Sequence, residues 1–277
     1  QLLFNILVIS FPLCLNGFLS TAISAASTLI VPRRLVGAGI EYSMALSMIG
    51  KFKGMSLNII FFPMLIVMSI STVLIPDLSE KIEKKNYWDA EHRISQVLKI
   101  ALLLGVTTMV ICLNMPNSLG ELFYGRKDLG SYIKFCSFAA PIVFTAATTF
   151  GILNGLGKQN IILRNSLIVA FEELFLLYVL TGIPWINIYG CGISLIITSI
   201  TTLALNLYEI KRICNLNISK YDMFIIILLG VLLYFVLAIL NNVLPSQMFA
   251  LKNLSMIAIS FLISLIFALY IMKNRHK

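Results

Sequence analysis

The chain of 277 residues is 59% hydrophobic and only 12% charged, with a mean hydropathy of +0.94. Soluble domains keep roughly a quarter of their residues charged, so most of this surface does not face water and an aqueous fold is excluded. The formal net charge of +9 sits in short loops between apolar runs, where basic residues set membrane topology. Nucleic acid is therefore not an expected partner.

A helix needs about 20 apolar residues to cross the hydrocarbon core. Runs of that kind near residues 2–32, 55–76, 96–116, 131–155, 160–181, 187–210, 222–244 and 250–272 predict an all-α membrane protein with eight transmembrane helices. Residue 1 is Gln and an apolar run starts at once, which reads as the continuation of a longer polypeptide. Prolines interrupt three of the runs: Pro12, Pro63 and Pro141. Each removes a backbone donor and crowds the preceding turn, so each predicts a kink and a candidate gate. Pro12 is favoured, because Asn16 and Gly17 follow one turn later.

Between the first two runs lie Arg33, Arg34, Lys51 and Lys53. An arginine fork suits phosphate oxygens, so these four are candidates for holding a diphosphate headgroup. Anchoring to anionic membrane lipids is the open alternative. The stretch 77–94 is the most hydrophilic part and carries Tyr87 and Trp88. It reads as a helical hairpin extension with aromatics at headgroup level.

Orientation follows from Lys and Arg in the loops. One side holds twelve: Lys81, Lys84, Lys85, Arg93, Lys158, Arg164, Lys211, Arg212, Lys220, Lys273, Arg275 and Lys277. The other holds seven. The richer side is expected to be cytoplasmic, which places both ends of the chain inside.

Gly151 to Lys158 looks at first like a phosphate loop. The glycine spacing is wrong, and Gln159 stands where Ser or Thr would hold magnesium, so a tight interhelical turn is expected instead. His92 and His276 are far apart in sequence. The five cysteines (Cys14, Cys112, Cys136, Cys191 and Cys214) show no metal-ligand spacing. No catalytic residues, metal or cofactor are expected, and the chain is not read as an enzyme.

Glu172 and Glu173 fall near the middle of the fifth run. An ionised acid there costs roughly 2.5–3.5 kcal/mol on insertion scales. Adjacent residues point about 100° apart on a helix, so the two cannot both face one narrow cavity. They are candidates for proton coupling or for a polar wall of a substrate path, with an interhelical packing bond as the alternative. Arg164 is expected to snorkel at its helix end.

Several segments carry a resemblance. VISFPLCLNGFLSTAISAASTLIVPRRL at 8–35, YSMALSMIGKFKGMSLNIIFFP at 42–63 and LIPDLSEKIEKKNYWDAEHRISQVLKI at 74–100 are similar to the stage V sporulation protein B group. So are ILNGLGKQNIILRNSLI at 152–168 and IYGCGISLIITSITTLALNLYEIKR at 188–212. That group lies within the multidrug/oligosaccharidyl-lipid/polysaccharide exporter superfamily, of MATE-like fold.

The resemblance implies helices seven to fourteen of a fourteen-helix protein. Residues 1–212 would be a six-helix C-terminal lobe and 213–277 two additional transmembrane helices. The N-terminal lobe would be absent from this chain and would be its partner. It implies a multi-pass protein of the bacterial cytoplasmic membrane that flips a lipid-linked oligosaccharide or peptidoglycan precursor by alternating access, for spore cortex or cell-wall polysaccharide. Two other readings stay open: a cation-coupled multidrug antiporter of the same superfamily, and an inactive truncated membrane scaffold.

Overall fold

The computed structural model describes residues 2–214, 220–243 and 248–273, with side chains over 10–214, 221–243 and 248–270. His276, Arg275, Lys277 and the side chains of Lys220 and Lys273 lie outside it, as do the extreme ends whose sidedness the loop charges predict. Every element among the described residues is helical.

The first helix, α1 (Leu2–Gly37), runs unbroken through Pro12 and Pro32. Pro12 therefore does not end the helix. The second span is assembled from pieces: α2 (Tyr42–Ile49), a π-helical segment Gly50–Ser56, α3 (Leu57–Phe61) and α4 (Met64–Glu83). It bends by 58° where Phe62 and Pro63 join α3 to α4.

A tight turn at Lys84–Asn86 leads into α5 (Tyr87–Asn114), whose first turn is capped by the Asn86 side chain. The polar 77–94 stretch is thus the junction of two long helices, as its composition predicts. After the short α6 (Pro116–Tyr124) come α7 (Gly130–Ser137) and α8 (Ala140–Gly155), bent by 59° to one another with Pro141 in the first turn of α8. At these two prolines the missing donor and the ring clash end one helix and start the next.

Gly157 takes φ +69° in the turn between α8 and α9 (Gln159–Leu180). This confirms the interhelical turn and gives Gly157 a conformation that residues with a Cβ avoid. The last helices are α10 (Tyr189–Ile213), α11 (Lys220–Val243) and α12 (Phe249–Lys273).

Five of these helices are long and apolar enough to cross a bilayer alone, and seven spans result if each bent pair is one. The chain is an all-α, multi-pass membrane protein. The fifth predicted span, α9, has 22 residues but carries Arg164, Glu172 and Glu173 along its length, which keeps it from the same apolarity.

Helix α5 is buried along most of its length and organises the bundle. A Cβ at Gly105 would lie 2.5 Å from Pro141 Cα, and one at Gly151 would lie 2.9 Å from Ser71 Cβ. Small residues therefore let α5 and α8, and α4 and α8, meet backbone to backbone, a common device where lipid supplies no hydrophobic drive. The large buried side chains Phe52, Phe144, Leu103 and Ile133 fill one core. A second core around Leu78, Ile94, Ile152 and Ile210 closes the end that holds the Lys84–Asn86 turn. That end is called the basic end below.

Helices α11 and α12 dock on α5 through polar bonds. Lys99 Nζ lies 2.5 Å from Asp222 Oδ2, with Lys99 only 4% exposed. Thr107 Oγ1 lies 2.6 Å from Ser264 Oγ. By contrast α1 packs mainly on α9 and α2, which leaves Phe11, Phe18 and Leu29 exposed.

Candidate functional site

Two adjoining cavities run along the face shared by α1, α9 and α10. The first, of about 330 Å³, is lined by Asn16 and Ser20 of α1, Asn165 and Glu173 of α9, and Thr202 and Asn206 of α10, among others. The second, of about 360 Å³, continues past Ser24 and Ser27 to Lys53 of the π-helical segment and Thr198 of α10. Ser20, Ile23 and Glu173 belong to both walls. Most soluble-protein pockets are chiefly apolar with a few polar groups. Here hydroxyl and amide side chains recur through an otherwise greasy bundle, and such groups are costly at membrane depth unless they serve a path or a partner.

The adjacent acids separate as the helix geometry predicts. Glu173 reaches both cavities and makes no hydrogen bond among the described residues. Glu172 turns to α10, where its Oε1 accepts from Thr201 Oγ1 at 2.9 Å. Its Oε2 is buried without a partner. Asn16 lines the first cavity, one turn beyond Pro12.

The four basic candidates also separate. Lys53 lines the second cavity and donates to Ser27 Oγ at 3.1 Å. Lys51, two residues earlier, instead bridges to Asp128 Oδ2 at 2.8 Å, and Arg126 grips the same carboxylate from the other side. Arg34 donates from Nε to the Tyr178 carbonyl at 2.8 Å and lies 4.2 Å over the Tyr178 ring. It packs so closely on Gly182 that a methyl group there would collide with the guanidinium. Arg33 is exposed on the last turns of α1.

The structure therefore brings Lys53, Glu173 and Asn16 onto one polar track. Arg34 and Lys51 act as ties between elements. Pro63 and Pro141 sit at bends and line neither of these two cavities.

The residues that sequence reasoning missed are Asn165, Asn206 and Thr149. Asn165 Nδ2 donates to Asn206 Oδ1 at 2.8 Å, and Asn206 Nδ2 donates to Thr149 Oγ1 at 2.8 Å. This buried row ties α9, α10 and α8 together at the floor of the first cavity. The available signal was amides inside apolar runs. Arg164, expected only to snorkel, is 55% exposed and donates to Glu209 Oε1 at 2.7 Å.

Comparison with known proteins bears on this bundle. The MatE family model matches residues 52–179, from the π-helical segment to the end of α9. Over that stretch the chain is similar to the MatE family. The chain is 23% identical to stage V sporulation protein B of Bacillus subtilis (strain 168) over 215 residues, which cover 78% of this chain and 42% of that protein. It is 24% identical to sporulation protein YkvU of the same organism over 130 residues, which cover 47% of this chain and 29% of that protein. The chain thus spans less than half the length of these curated relatives. No solved structure matches it.

Proposed function

We propose that this chain is one lobe of a lipid-linked oligosaccharide or peptidoglycan-precursor flippase of the bacterial cytoplasmic membrane, comprising six helices and two additional ones. The carrying observation is the polar track between α1, α9 and α10, on which Lys53 and Glu173 share one cavity wall. In this reading α9 also spans the membrane, and Glu173 faces the path rather than lipid. The exposed face of α1 is where the second lobe of the same protein would pack. The basic end is cytoplasmic, as the loop charges predict. The names of the relatives support a role in sporulation.

The reading assigns roles by chemistry. Lys53 meets the headgroup phosphates as a mobile point charge. Ser20, Ser24, Ser27 and Asn16 offer hydroxyls and an amide to sugar or phosphate oxygens. Glu173 balances Lys53 when the path is empty and takes a proton or cation as the substrate anion arrives. Rocking of this lobe against the other alternates access to the track.

The test is precursor flipping by the full-length protein in vesicles. Lys53→Ala is expected to lower flipping at least tenfold, the order lost with one charge-assisted contact. Normal flipping by Lys53→Ala would remove the assignment.

A second reading, cation-coupled drug export, is favoured by one observation: Glu173 faces the cavities with no hydrogen bond among the described residues. Drug efflux that follows an imposed proton or sodium gradient, with no precursor flipping, selects that reading.

A further inference from the structure

A second polar centre lies at the basic end of α9 and α10. Glu209 is 7% exposed. Its Oε1 accepts from Arg164 Nη2 at 2.7 Å, and its Oε2 lies 3.9 Å from Arg212 Nη1. Two guanidiniums on one buried carboxylate leave a surplus positive charge, and both arginine side chains are more than half exposed. The Arg212 guanidinium also sits 5.9 Å from the ring of Tyr208.

Behind this pair, Arg164 donates from Nε and Nη2 to Asn165 Oδ1 at 3.2 and 3.0 Å. Asn165 begins the amide row that ends at Thr149. The arginine is therefore the outer end of a hydrogen-bonded line whose inner members form the cavity floor.

The surface beside it fits a particular chemistry. Leu167, Ile168, Phe171 and Phe175 lie three, four, seven and eleven residues beyond Arg164, on the same face of α9. All four are exposed, Phe171 by 74% and Phe175 by 66%. A charged head with free guanidinium edges, followed by an apolar stripe running deeper, has the polarity profile of a phospholipid. The planar fork of arginine matches phosphate oxygens better than an ammonium does.

We propose that Arg164 and Arg212 form a phosphate-recognising site for a membrane-lipid headgroup, with Glu209 as the internal counter-ion that holds it when empty. A bound headgroup phosphate takes the guanidinium edges from Glu209, and its acyl chain lies along Leu167 to Phe175. As Arg164 shifts, its two bonds to Asn165 loosen and the change reaches the cavity floor. This last step rests on the cavity being a transport path; the lipid-binding step does not.

The experiment is native mass spectrometry of the purified chain in detergent with added phosphatidylglycerol, and in parallel with diacylglycerol, which lacks the phosphate. Phosphatidylglycerol is expected to be retained in preference to diacylglycerol. Arg164→Ala and Arg212→Ala are each expected to lower retention about tenfold. Glu209→Gln is expected to raise it, because the competing charge is gone; a merely structural Glu209 would instead lower it. Lys211→Ala, beside the site on α10, is the matched control and should retain lipid like the parent.

Arg212 is the more exposed arginine, so its variant keeps the test readable if Arg164→Ala fails to fold. Parental retention in the arginine variants, or a fall in Glu209→Gln, overturns the site. Displacement of the lipid by inorganic phosphate alone overturns the lipid as occupant. Loss of flipping in Lys53→Ala leaves this result untouched, so the two readings fail separately.

Discussion

In α9 the carboxylate of Glu172 is held by Thr201, whereas its neighbour Glu173 stands in the cavity wall with no hydrogen bond among the described residues. The split predicts opposite losses. Glu173→Gln is expected to reduce transport by the full-length protein while leaving its melting temperature near the parent's. Glu172→Gln is expected to leave transport within a few-fold. Equal transport defects in both would refute the division of labour.

At this scale the sequence was legible in part. That two adjacent acids must diverge follows from helix geometry. That Glu173 would share a cavity wall with Lys53 does not, because 120 residues and a broken span lie between them and no local pattern records the meeting. The amides of Asn165 and Asn206 were equally silent. A lone amide in an apolar helix looks the same whether it pairs across helices or faces solvent, and only the fold shows Arg164, Asn165, Asn206 and Thr149 forming one row.

Among the elements, α5 is the helix against which α8, α11 and α12 are set. The Lys99–Asp222 pair buries a cation between α5 and α11. Removing one partner of a buried pair costs roughly 3–5 kcal/mol, while replacing both with well-packed apolar groups is often neutral. Asp222→Ala is therefore expected to lower the thermal midpoint in detergent. Lys99→Met with Asp222→Leu should recover most of it. A single variant that melts like the parent would show the pair to be unimportant.

The close crossing at Gly105 gives a steric counterpart. A Cβ there meets the Pro141 backbone at 2.5 Å, which cannot rotate away as a side chain would. Gly105→Ala is expected to cost about 1–3 kcal/mol by overpacking, read from the same melts. Element boundaries were legible where proline acts by ending a helix, at Pro63 and Pro141. Pro12 shows the limit of that signal, since α1 continues through it. The π-helical segment left no mark at all, because a change in backbone hydrogen-bond register has no composition of its own.

For the whole molecule, the apolar runs led directly to an all-α membrane bundle, because only helices and closed barrels satisfy the backbone in lipid and unbroken runs of about 20 apolar residues fit helices rather than short alternating strands. The span count was harder to read. Two spans are broken, and α9 exchanges apolarity for the polar residues of the cavities. Sidedness supplies a prediction at this scale. A cysteine placed at Lys85, in the exposed turn between α4 and α5, is expected to react with an impermeant maleimide only from the cytoplasmic side of intact cells, in a background stripped of exposed Cys14. Labelling from outside would invert the topology and with it the direction of any transport.

The wide turn of Gly50–Ser56 stores slack. A π segment carries surplus chain relative to an α-helix of the same rise, and Ser56 Oγ reaches back five residues to the Lys51 carbonyl to hold it. Gly50 and Gly54 have nothing packed where a side chain would be, so the segment is held instead through the buried Phe52, the Lys51–Asp128 pair and the Lys53–Ser27 bond. If it slides by one position, each residue it passes swivels by about 100°. Lys53 then leaves Ser27 and swings out of the cavity wall while the helix above and below stays wound.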